Sequence, residues 1–252
     1  MLAEERLNRI VALVDERGTV TSTELMELLD ASESTVRRDL TRLAQEGRIV
    51  KVHGGAASAH AAATRRTVVS VDRTVGERHG HNLAEKMRIA RFAAALIAPD
   101  DFVYIDAGST TACLAEAISE RAATYVTNSI EIARVLFEKG CRVLMPAGEV
   151  KAITGALVGE QTVETLRRFR FTMGFFGANG ATPDAGFTTP ELGEALVKET
   201  ALSHTLKPYV LCDSSKFSAV SPVAFAAFDD AVAITDALPA ELEGYSNIIV
   251  AE

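Results

Sequence analysis

Apolar positions recur with the helical period at the front of the chain and as short unbroken runs behind it. Leu7, Ile10, Val11 and Val14 are spaced three and four apart and Gly18 ends the run, which predicts an amphipathic helix. Thr21-Ser22-Thr23-Glu24 has the form of a capping box opening a second helix with Leu25, Leu28 and Leu29 on its inner face. Asp30-Ala31 predicts a tight turn. Ser32 is placed to cap a third helix that runs to Glu46 and stops at Gly47. There Val36, Leu40 and Leu43 form one buried stripe, leaving Glu33, Ser34, Thr35, Arg37, Arg38 and Arg42 facing outward. Arg48 to Val52 alternates at the strand period and Gly54-Gly55 follows as a turn. Three short helices and then a hairpin is a winged helix-turn-helix layout.

The pattern changes beyond it. Ala56 to Thr64 is small and Ala-rich and reads as a connector. A helix is expected from His81 to Ile97, with Ile89, Phe92, Ala93 and Leu96 on one side. Strand-like apolar runs then appear at 102–105, 125–126, 142–145, 171–176, 209–212, 232–235 and 247–250, with helical stretches between. Continuous apolar strands alternating with helices imply a mostly parallel sheet covered on both faces. The expected organisation is a head over 1–56, a linker over 57–80 and a larger domain over 81–252. The fold class is α/β with a small α+β head.

Small and polar residues cluster after the strand ends, where an open α/β sheet forms its ligand crevice. Gly108-Ser109-Thr110-Thr111 combines backbone N–H groups, hydroxyls and a helix N-terminus, which makes a phosphate cradle. Lys216 follows another strand and supplies a compensating cation. Asp106, Thr127 and Asn128 suit the hydroxyls of a polyol.

The chain has 252 residues and a formal charge of −8, which by itself argues against nucleic acid. The charge is unevenly placed, however. Between Ser34 and His53, Arg37, Arg38, Arg42, Arg48 and Lys51 face only Asp39 and Glu46, a local excess of about +3. Short hydroxyl side chains at the start of the third helix can lie against base edges in a major groove. Arg37 and Arg38 differ by about 100° around the axis, so one can reach a base while the other grips phosphate. Lys51 and His53 on the wing are placed for the adjacent backbone or minor groove. Asp39 is out of character on such a face and is expected to pair with a neighbouring Arg. Three scattered Cys read as reduced thiols in a cytoplasmic protein. No secretory leader, membrane-length apolar run, metal-ligand spacing or cofactor motif is expected.

Ser32-Glu-Ser-Thr-Val-Arg-Arg-Asp-Leu40, with Leu43, Gly47 and Val52-His-Gly-Gly-Ala56, resembles the DNA-binding signature of the DeoR family of bacterial sugar-metabolism regulators. That resemblance implies a recognition helix carrying Ser34, Thr35, Arg37 and Arg38. The larger half resembles the same family's effector domain, whose fold is shared with ribose-5-phosphate isomerase and glucosamine-6-phosphate deaminase. The matching residues are Asp106 to Thr111, Thr127 to Ser129, Gly148, Gly177-Ala178, Gly186 to Thr188, Glu194 with Lys198, Asp213 to Lys216, and Thr235-Asp236. The resemblance implies a phosphosugar pocket, with Ser109, Thr110 and Thr111 on phosphate or nearby hydroxyls, Lys216 on the anion, and Asp106 and Asn128 on the sugar.

A sugar-phosphate isomerase or deaminase carrying a DNA-binding head is the alternative. It needs a carboxylate base beside the substrate carbon. Among the carboxylates available, Glu194 is expected to form an i, i+4 pair with Lys198. The expectation is therefore a non-enzymatic regulator, a homodimer or homotetramer. Its partners would be operator double-stranded DNA and a phosphorylated sugar, leaning to a ketose phosphate such as fructose 1-phosphate.

Overall fold

The computed structural model describes residues 3–17, 19–46, 48–52, 55–58, 67–68 and 80–252. They fall into two compact units, Met1–Arg66 and Thr67–Glu252.

The first unit contains α1 (Ala3–Arg17), β1 (Thr19–Thr21), α2 (Ser22–Leu29), α3 (Glu33–Gln45), β2 (Ile49–Val52) and β3 (Gly55–Ser58). Leu7, Ile10, Val14, Leu25, Val36, Leu40, Leu43 and Ile49 are buried together as its core. Each fully buried aliphatic side chain contributes about 1.5–3 kcal/mol. The capping box forms as expected: Thr21 Oγ1 accepts from Glu24 N–H at 3.2 Å, and Glu24 Oε2 accepts from Thr21 N–H at 2.8 Å. Asp30 takes a left-handed backbone (φ 46°) and ends α2, giving the tight turn. Ser32 holds the N-cap position of α3, but its hydroxyl bonds to Ser34 Oγ and Thr35 Oγ1 rather than to a backbone N–H. β3 lies between β1 and β2, antiparallel to both. β1 was not foreseen, and β3 runs two residues past the boundary expected at 56.

The second unit starts with β4 (Thr67–Val68) and α4 (Leu83–Ala94), which is shorter than the helix expected over 81–97. There follow β5 (Phe102–Ile105), α5 (Ser109–Ala117), β6 (Thr124–Thr127), α6 (Ile130–Glu138) and β7 (Arg142–Leu144). The hairpin β8 (Glu149–Lys151) and β9 (Ala156–Val158) leads to α7 (Glu160–Leu166) and β10 (Phe171–Gly177). Next come β11 (Gly180–Thr182), β12 (Gly186–Thr189), α8 (Leu192–Ser203) and β13 (Thr205–Leu211). The chain closes with β14 (Ala219–Val220), β15 (Val223–Ala226), β16 (Val232–Thr235) and β17 (Ile248–Val250).

All seven expected apolar runs become neighbours in one sheet, ordered β17-β16-β13-β10-β5-β6-β7 and parallel throughout. Successive residues of a strand point to opposite faces. In β5, Val103 and Ile105 pack with Ile89, Leu114 and Leu136, while Tyr104 packs with Phe171, Phe176 and Val197. Two cores, one on each face, explain why these strands read as unbroken apolar runs.

The topology has one switch. From β5 the chain builds outward through β6 to β7, then returns to lay β10 on the other side of β5 and builds the opposite way through β13, β16 and β17. The crevice between the C-terminal ends of β5 and β10 is therefore where a doubly wound sheet leaves room for a ligand.

Candidate functional sites

In the first unit, α3 turns its charge outward. Ser34, Arg37, Arg38 and Arg42 are exposed, and with Glu33, Thr41 and Gln45 they line a shallow groove. Thr35 is half-buried, its hydroxyl engaged by Ser32. Arg42 is bonded to Glu46 at 2.8 Å, one turn along. Lys51 donates to Thr41 Oγ1 at 3.0 Å, which ties wing strand β2 to α3. His53 lies outside the described residues, as does most of the expected linker over 57–80.

Asp39 is not on the outward face. It is buried, and its carboxylate takes Arg6 Nε of α1 at 2.6 Å. Asp39 pairs with an Arg as expected, but with Arg6 of α1, 33 residues away, and not with one close by in the chain. The pair removes a negative charge from the basic surface and fastens α3 to α1.

In the second unit, the loops after β13, β10, β5, β6 and β7 stand side by side, because those strands are consecutive in a parallel sheet. These loops carry Lys216, Gly177, Asp106 to Thr111, Thr127-Asn128 and Gly148. Neighbouring strands are about 4.8 Å apart, so the turn after β5 and that after β13 are separated by about two such spacings. At the switch, Gly108 and Gly177 face each other. A Cβ placed on Gly177 would lie 4.0 Å from Gly108 Cα and 3.6 Å from Asp106 Oδ2.

Asp106 sits at the floor. It is 1% exposed, and Oδ2 accepts Gly177 N–H at 3.0 Å and the Lys198 ammonium. Lys198 is also buried and donates to Gly177 O at 3.1 Å. Burial pushes the Asp106 carboxyl above its usual value, against the pull of Lys198 and the Gly177 N–H. The local reading of Glu194 with Lys198 as an i, i+4 pair is thus corrected. Lys198 turns inward to Asp106, while Glu194 takes Lys151 and Thr154 Oγ1, each at 3.1 Å. Burial alone would raise the Glu194 carboxyl; the Lys198 and Lys151 charges override it and hold it low.

Ser109, Thr110 and Thr111 form the first turn of α5 and are buried. The first amides of a helix lack intrahelical acceptors, so this turn aims N–H groups at the switch. Asn128 is already engaged: its Oδ1 accepts Ala107 N–H at 3.0 Å and Tyr104 OH at 3.1 Å, and Nδ2 donates to Leu157 O at 3.2 Å. One amide hydrogen remains. Thr127 Oγ1 accepts Ser129 N–H at 3.1 Å, which shapes the start of α6. Lys216 Nζ is 3.9 Å from Asp213 Oδ2, on a turn bonded to Asp236 through Ser214 N–H at 2.7 Å. Sequence reasoning missed the Asp106–Lys198 pair and the role of Tyr104. Among the described residues no group of His, Cys, Asp or Glu is arranged to hold a metal ion, and no helix is long and apolar enough to cross a membrane.

A helix-turn-helix unit followed by a doubly wound sheet with a polar switch-point crevice is the build of a ligand-responsive transcription factor. Residues 6–62 match the DeoR-like helix-turn-helix domain and residues 81–237 the DeoR C terminal sensor domain, and the chain belongs to the DeoR family of transcriptional regulators of sugar metabolism. An uncharacterized HTH-type transcriptional regulator, FruR, of Bacillus subtilis strain 168 is 36% identical over 236 residues, 93% of this chain and 91% of that one. The lactose phosphotransferase system repressor of Staphylococcus aureus strain N315 is 35% identical over 237 residues, 93% and 92% of the two chains. Ribose 5-phosphate isomerase A of Methanocaldococcus jannaschii superposes with a TM-score of 0.41 at 15% identity, over 54% of this chain and 55% of that one. Family membership meets the expectation of a regulator over an isomerase or deaminase.

Proposed function

We propose that the protein represses a sugar-utilisation operon, holding operator DNA with its first unit and releasing it when a phosphorylated sugar enters the crevice of the second. One observation carries the ligand half. The hydroxyl-rich first turn of α5 opens at the topological switch, beside Gly177, with Lys216 two strands away. Backbone amides at a helix start and a lysine cation suit a phosphate, and the polar groups of Asp106 and Asn128 suit sugar hydroxyls. Ser34, Thr35, Arg37, Arg38, Arg42, Lys51 and His53 are the operator contacts of this reading. A homodimer or homotetramer supplies the paired heads that a two-fold operator needs. A relative named for repressing a lactose phosphotransferase system supports a sugar operon, and the ligand we favour is a ketose phosphate such as fructose 1-phosphate.

A thermal-shift panel tests this. A sugar phosphate present at 100 times its Kd stabilises the native state by about 2.7 kcal/mol. Fructose 1-phosphate should raise Tm, fructose and inorganic phosphate should do so far less, and Lys216→Ala should lose the shift. A panel of sugar phosphates that leaves Tm unmoved contradicts the reading.

A further inference from the structure

Two stretches of the second unit that lead from the first fasten onto the same short segment. Asn82 precedes α4 in a left-handed backbone (φ 54°, ψ 42°) and makes no side-chain cap to its own helix. Its Nδ2 instead donates to Asp213 Oδ1 at 2.9 Å, across 131 residues of sequence. Lys86, one turn further along α4, is buried and faces the same carboxylate electrostatically. The second attachment is β4, whose Thr67 and Val68 pair in parallel with Ala219 and Val220 of β14, immediately beyond the turn carrying Lys216.

That segment is built to transmit a displacement. Asp213 is 1% exposed and caps its own turn through Ser215 N–H at 3.2 Å. Among the described residues its Oδ2 has no hydrogen-bond partner, and it stands 3.9 Å from Lys216 Nζ. A buried acceptor left unpartnered has lost its hydration with nothing in exchange, so a donor arriving there has a large effect. The far end is seated on the sheet β11-β12: a Cβ on Gly180 would lie 2.2 Å from Ala219 O, and Ser221 N–H donates to Thr188 Oγ1 at 2.9 Å.

We propose that Asn82 and the β4–β14 pairing couple the segment Asp213–Val220 to the chain that joins the two units. A phosphate drawing Lys216 away from Asp213, with a ligand hydroxyl donating to Asp213 Oδ2 in its place, then resets Asn82 and β4 together. Asn82 is a positioning residue, acting on the ligand only through Asp213. This coupling rests on the reading of Lys216 as a ligand cation, but half of its test does not.

The experiment is hydrogen–deuterium exchange on the full chain, comparing wild type with Asn82→Gly. Glycine removes the amide and suits the left-handed backbone, so α4 keeps its start. Without ligand, the variant should exchange about tenfold faster in α4 from Lys86 N–H, which bonds Asn82 O, onward and also at 67–68 and 219–220, the size of one lost hydrogen bond to a charged group. Faster exchange confined to α4 overturns the coupling. With fructose 1-phosphate, wild type should be protected at 213–220, at 67–68 and at the start of α4, whereas in Asn82→Gly protection should stay at 213–220. Equal spread of protection in both proteins also overturns it. Absence of protection at 213–220 in wild type, with any sugar phosphate tested, counts against the ligand reading and leaves the ligand-free comparison to decide the coupling.

Discussion

Replacing Lys198 by Met should destabilise the second unit more than an ordinary surface change, and in a pH-dependent way. The two side chains of the pair are 5% and 2% exposed. Without Lys198, Asp106 keeps, among the described residues, only the Gly177 N–H at 3.0 Å. Breaking a buried ion pair from one side costs about 3–5 kcal/mol because an uncompensated charge stays inside. Asp106 escapes part of that cost by holding its proton. Its carboxyl is already raised by burial, and losing the ammonium raises it further. Between the unfolded and folded values the native state then binds the extra proton, so stability falls as pH rises through that window. The limiting slope is about 1.4 kcal/mol per pH unit. The assay is urea unfolding followed by circular dichroism, run at about pH 5 and about pH 8. Lys198→Met should lose more at the higher pH, and adding Asp106→Asn should recover about 2 kcal/mol or more by leaving no charge buried. A loss under about 1 kcal/mol at both pH values, or no recovery in the double variant, would refute the pair as described.

Other outcomes follow from single contacts. Arg6→Ala should lower the Tm of the first unit and weaken operator binding severalfold in a gel-shift titration, since it leaves the Asp39 carboxylate unpaired on the helix that carries Arg37 and Arg38. Gly148→Ala should cost about 1–3 kcal/mol in urea unfolding, because φ is 154° and the new Cβ would lie 1.9 Å from Thr162 Oγ1. Gly193→Ala, in α8 with nothing within 4 Å, should instead gain about 0.5–1 kcal/mol. Glu194 has a lowered pKa, so its contribution is complete above the unfolded value and is lost as pH falls through the folded one. Tm measured against pH should show Glu194→Gln most impaired near neutrality and level with wild type in acid.

Much of this architecture is legible in the residue pattern because burial on two faces writes itself as uninterrupted apolar strands. Phe102 to Ile105 and Phe171 to Phe176 are such runs, and both lie at the centre of the sheet. The hairpin β8–β9 was invisible for the opposite reason: Glu149 and Val150 are exposed and no apolar period marks them. β11 and β12 hid among Gly, Ala and Thr, residues that equally suit a loop. Pairing across the fold was the larger gap. Spacing favoured Glu194 for Lys198, but the partner is Asp106, 92 residues earlier. The same holds for Asp39 with Arg6 and for Asn82 with Asp213. A local period reports which face is buried, not which distant charge waits there. The residues placed around the switch were legible because strand ends in a parallel sheet gather on one side, whatever the intervening sequence length.

The most direct test of the account is the affinity of the full chain for an operator fragment, measured with and without fructose 1-phosphate, in wild type and in Lys216→Ala. The sugar phosphate should weaken wild-type binding, operator should weaken sugar-phosphate binding by the same factor, and Lys216→Ala should bind operator normally but no longer respond. Equal operator affinity with and without every sugar phosphate in a broad panel, or an undiminished response in Lys216→Ala, would contradict it.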